Sequence, residues 1–112
     1  METKPGCPLD GEFKDLTPGK VRDMLVACFA AARAEIVAEG GATPDMAVLQ
    51  NEAAAAVRDA LRDVGGNFDD PKKEHFQPML KVLSQRALTL GTPHNVVTRH
   101  AIRVIKALEH LP

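Results

Sequence analysis

The chain contains no tryptophan and no tyrosine, and only four phenylalanines among its 112 residues. That removes the aromatic platform on which single-stranded nucleic acids usually stack. Cysteine is scarcer still, with Cys7 near the start and Cys28 inside an apolar segment. Two thiols so placed do not make a disulfide framework, and the expected compartment is cytoplasmic. The most apolar run, Met24 to Ala38, is too short to cross a bilayer and is broken by Arg33 and Glu35. The opening METKPGCPLDGEF lacks the apolar stretch that a secretory signal needs. Ser84 is the single serine, so hydroxyl chemistry would fall to it or to threonines. A net charge of −1 gives no global attraction to nucleic acid or anionic membrane.

What is present is the composition of an ordinary globular domain, 45% apolar and 26% charged, at a length that fits one core. The charge is uneven along it. Residues 1–65 hold seven Lys/Arg against eleven Asp/Glu, a balance of −4, and residues 66–112 hold seven against four, +3. Such asymmetry can orient a partner.

The same punctuation occurs four times: Thr17-Pro18, Thr43-Pro44, Asp70-Pro71 and Thr92-Pro93. A Thr or Asp side chain accepts from the unpaired amides of a first helical turn, and proline at the next position loses nothing by lacking its N–H. Gly40, Gly65 and Gly91 stand where left-handed C-terminal caps would close the preceding helices. Between these signals apolar residues recur at helical spacing: Val21, Leu25, Cys28, Ala32, Ile36; Met46, Leu49, Ala53, Val57, Ala60, Val64; Phe76, Leu80, Leu83, Ala87, Leu90; and Val97, Ala101, Val104, Leu108, Leu111. The expected fold is all-α, an antiparallel up-down-up-down four-helix bundle over residues 17–112, with helices at about 18–39, 44–64, 71–90 and 93–111. Pro78 argues that the third helix begins near His75 or bends there. Residues 1–16, with two prolines and two glycines, read as an extended tail able to dock Leu9, Phe13 or Leu16 on the bundle.

The first helix is apolar on two sides, because Val26, Ala30 and Val37 lie opposite its core stripe. A doubly apolar helix is central in a bundle or buried between copies, so a homodimer through this face is expected.

No catalytic or cofactor constellation assembles. Glu-x-x-His, His-Glu-x-x-His and Cys-x-x-Cys are all missing, and no phosphate-loop or dinucleotide fingerprint occurs. His94 and His100 are separated by about 120° and roughly 9 Å along one helix, too far to share an ion. The stretch Asp63 to Glu74 has acids at both ends like a calcium loop, but Gly65 and Phe68 occupy positions that need an oxygen ligand and a glycine. Neither a metal nor a cofactor is expected, and the chain reads as non-enzymatic.

The fourth helix carries the remaining interest. Its outer side offers Asn95, Thr98, Arg99, Arg103 and Lys106, a face suited to an unidentified protein partner. Residues 84–106 also have the Ala87, Gly91, Val97 spacing of a helix-turn-helix, and Asn and Arg read adenine and guanine edges, so DNA binding is the alternative. A third reading makes His100 a phosphoryl acceptor, with Arg103 and Lys106 neutralising the phosphate.

Overall fold

A computed structural model describes residues 15–111 of the chain. Four α-helices follow one another: α1 Pro18–Glu39, α2 Met46–Asp63, α3 Phe76–Thr89 and α4 His94–Glu109, with a single 3₁₀ turn, Lys73–His75, leading into α3. No strand occurs among the described residues. Each helix packs against two others, α1 on α2 and α4, and α3 on the same pair, as a bundle requires. No helix of these residues is long and apolar enough to cross a membrane.

Only the first helix start follows the Thr-Pro rule. Thr17 accepts from the Lys20 amide at 3.2 Å, and Pro18 opens α1. At α2 the cap is Asp45 rather than Thr43: its carboxylate takes the amides of Ala47 and Val48, so the helix begins after Pro44. Asp70 caps nothing; it pairs with Lys72, and α3 waits until Phe76, which leaves Pro78 in its first turn where a missing amide is tolerated. Thr92 does not cap α4 either. It is fully buried, and its hydroxyl accepts from Arg33 at 3.0 Å while Pro93 occupies the cap position. At the other ends Gly65 and Gly91 do take left-handed backbone, φ +86° and +88°, but after α1 that role belongs to Gly41 at +89°, since Gly40 sits at −78°.

The core gathers Val21, Leu25 and Phe29 of α1, Val57 and Leu61 of α2, Phe76, Met79 and Leu83 of α3, and Val97, Val104 and Leu108 of α4. Leu16 joins it, so the segment before α1 is anchored there, whereas Leu9 and Phe13 lie outside the described residues. Met46 and Leu90, placed on the apolar stripes by spacing, are 42% and 57% exposed because each stands at the extremity of its helix. Ala30 requires a larger correction. It is 0% exposed and part of the chain's own core, so it cannot present a face to a second copy. Val26 is partly buried against that core and Val37 is half-buried. The physical reason is that α1 lies against both α2 and α4 and therefore needs two apolar faces within one chain.

Long side chains tie the loops down. Arg22 of α1 stacks 4.8 Å over the Phe68 ring and donates to the Phe68 carbonyl, fixing the α2–α3 connection. Gly66 in that connection has no room for a side chain: a Cβ there would come within 2.9 Å of Leu61 Cδ2 and 3.0 Å of His75 Nδ1. Asp63, at the end of α2, pairs with Arg86 near the end of α3. Lys73 donates to the Leu111 carbonyl, holding the lead into α3 against the end of α4.

Candidate functional site

The five outer residues read from α4 are all exposed, but the fold divides them. Arg99, Arg103 and Lys106 line one side of an open groove of about 810 Å³ between α1 and α4. Thr98 faces the other way, toward α3, and Asn95 lines neither space. The opposite wall of the groove comes from α1: Lys20, Asp23, Met24, Ala27 and Ala31. The floor is therefore apolar and made largely of small side chains, and the cations on it outnumber the acid Asp23. Nothing in the α4 segment announced that floor, since it is written some 70 residues earlier. The nearest signal was Met24, Ala27 and Ala31 at helical spacing, which joins neither the buried stripe nor the second apolar face.

Two further α4 residues escaped the sequence reading. Ile102 and Ile105 are 49% and 41% exposed, one in the groove and one beyond its edge. An isoleucine standing among arginines and lysines gives this face a mixed, amphipathic character.

Beyond Ala31, one turn further along α1, Glu35 engages two of the groove's α4 residues. The Arg99 guanidinium donates to Glu35 Oε2 at 2.7 Å and to Oε1 at 3.4 Å, and His100 Nε2 lies 2.8 Å from the same Oε1. Hydrogen bonding from His100, and then from Arg99, holds the Glu35 carboxyl below its ordinary range. A carboxyl depressed in the folded state stabilises the fold fully above its unfolded value of about 4.5, and that contribution fades as pH falls through the lower folded value. Glu35→Gln should accordingly weaken the protein at neutral pH, and its deficit against wild type should shrink below about pH 4. Urea denaturation at the two pH values measures this. An equal deficit at both would show that the carboxylate is not what matters.

The same contact bears on His100. Its Nε2 faces a carboxylate, so a phosphoryl group there would displace a favourable partner and meet negative charge instead. Cys28 sits at the border of the groove, and burial pushes its thiol up to about 11, which keeps it neutral and poorly nucleophilic. Among the described residues no three His, Cys, Asp or Glu side chains converge to hold a metal ion. Within the supposed calcium loop Asp63 pairs with Arg86 and Asp70 with Lys72, while Asn67 accepts from the Asp69 amide.

No protein family, no curated protein and no solved structure matches this chain. Its class rests on its own geometry, that of an all-helical protein with a cationic, apolar-floored groove.

Proposed function

We propose that the protein is a non-enzymatic interaction module whose α1–α4 groove receives an acidic amphipathic helix of a partner protein. The observation that carries this reading is the pairing of an apolar floor, Met24, Ala27, Ala31 and Ile102, with the cations Lys20, Arg99, Arg103 and Lys106 around it. From Lys20 to Ala31 the wall runs about 16 Å, three helical turns, enough for anchors at i, i+3 or i+4, and i+7. Small residues at 27 and 31 let a helix backbone approach closely. Acidic residues on the flanks of that helix would meet Lys20 and Lys106 and set its direction.

Ile102 favours this occupant over DNA, because phosphates do not cover an exposed isoleucine in the groove and a protein partner does. The reading takes the four helices as an antiparallel up-down-up-down bundle. The Lys73–Leu111 and Glu35–Arg99 contacts support opposed neighbours, while the Asp63–Arg86 pair calls for an oblique crossing of α3 over α2. It places the protein in the cytoplasm, where Cys28 would keep its thiol free. The homodimer through α1 is a separate proposal, reduced to Val26 and Val37 as its face, and sedimentation at micromolar concentration tests it: a monomer mass removes it.

The groove is tested with a labelled model peptide of about 14 residues, leucine on one helical face and glutamate on the other, followed by fluorescence anisotropy. Micromolar, salt-sensitive binding is expected, weakened at least tenfold by Lys20→Glu with Lys106→Glu, and absent for the lysine-for-glutamate twin. Equal binding of the twin, or tighter salt-sensitive retention of a duplex DNA, would overturn the reading, the second outcome in favour of the DNA alternative.

A further inference from the structure

We propose that a second space, between α1, α3 and α4, is a binding site for an uncharged single-ring molecule carrying one hydroxyl group, a phenol in chemical class. This site shares Cys28 with the groove and lies on the adjoining side of α4, toward α3. The cavity measures about 90 Å³ and is walled by Leu25, Phe29, Leu80, Leu83, Val97 and Ala101. No charged side chain lines it, so a carboxylate or an amine would lose its hydration with nothing in return. A fully closed apolar cavity of roughly 150 Å³ takes benzene. This one is smaller but opens past Thr98 and Ile105, both exposed, so a ring can enter with its substituent at the mouth.

The polar element is specific. Ser84, the single serine of the chain, lines this cavity from α3. Hydroxyls within helices commonly bond back to the carbonyl four residues earlier, and Thr89 does so on the same helix, to Gln85 at 3.1 Å. Ser84 makes no such bond, and among the described residues neither its hydroxyl nor that of Thr98 takes a partner from the chain. Two hydroxyls without protein partners therefore border a hydrocarbon-lined space. Cys28, the remaining polar atom, is a neutral thiol and a weak donor. Water is held poorly in the depth of the space, since it needs two to four polar partners and those present are confined to Ser84, Thr98 and the weak thiol of Cys28.

Titration of the full chain with phenol, benzene and benzoate, read by the methyl resonances of Leu83, Val97 and Ala101, tests the assignment. Phenol should shift them saturably with a dissociation constant on the order of 1 mM or tighter. Benzene should bind about tenfold more weakly, the worth of one hydrogen bond, and benzoate not at all. Ser84→Ala with Thr98→Val should bring phenol down to the level of benzene while the ring still binds; neither exchange removes a hydrogen bond from the fold. Ala101→Phe should abolish both ligands by filling the space. Absence of saturable shifts, equal affinity for phenol and benzene in the wild type, or phenol binding untouched by the double exchange would overturn the proposal.

Discussion

Phe76→Ala should cost about 3–5 kcal/mol, the range for removing a large ring from a packed core. Against a total stability of roughly 5–15 kcal/mol this is enough to leave much of the population unfolded. Phe76 is the largest fully buried side chain, at 0% exposure, and it is also the first residue of α3, directly after the 3₁₀ turn. Its ring therefore serves two purposes. It fills the core that also holds Leu61 and Met79, and it fixes where α3 starts relative to the loop that Arg22 and Phe68 hold. Urea denaturation followed by far-ultraviolet circular dichroism measures the loss. Phe68→Ala is the comparison: that ring is only half-buried, packed on the edge of the core beneath Arg22, so a smaller loss of about 1–2 kcal/mol is expected. If the two exchanges cost the same, the core assigned to Phe76 is not the centre of the fold.

Arg33→Met should cost about 2–3 kcal/mol, because one guanidinium serves two acceptors on the α3–α4 connection. Its Nη1 donates to the Leu90 carbonyl at 2.9 Å and to the Thr92 hydroxyl at 3.0 Å. Thr92 is the only buried polar residue among those described, at 0% exposure. Without the arginine its oxygen is left in the interior with no donor, and the full desolvation cost appears. Replacing both partners should be milder than that logic of single removal suggests: Arg33→Met with Thr92→Val should recover 1 kcal/mol or more of the sum of the separate effects. Arg33→Lys should rescue only in part, since a compact ammonium does not reproduce the spread of the guanidinium. Strict additivity of the two exchanges would show that the arginine acts through Leu90 alone.

The number of helices and the apolar stripe of α4 were legible from the sequence because they depend on spacing alone. Val97, Ala101, Val104, Leu108 and Leu111 are all buried as that spacing requires. Helix starts were less legible because several residues in each loop have the right chemistry and the packing chooses among them. Asp45 and Thr43 are equally plausible caps on paper, and Thr92 was drawn inward once Arg33 reached it from α1. The burial of Ala30 was hidden for another reason: one helix with two neighbours looks, in sequence, like one helix with a neighbour and an interface. At the site, the cations could be read from α4 and the floor could not, because only the tertiary fold brings Met24, Ala27 and Ala31 beneath Arg99 and Arg103.

Cys28 of α1 borders both the groove and the cavity, and α4 stands between the two spaces with a different face toward each. That helix is in effect a party wall. A displacement of α4 toward α3 would enlarge one room at the expense of the other, so the two proposed ligands would lean on the same partition. Any difference in affinity this produces must be felt equally in both directions. Such a shift is resisted at both ends of the wall, by the Glu35 contact with Arg99 and His100 at one and by the Lys73 bond to the Leu111 carbonyl at the other.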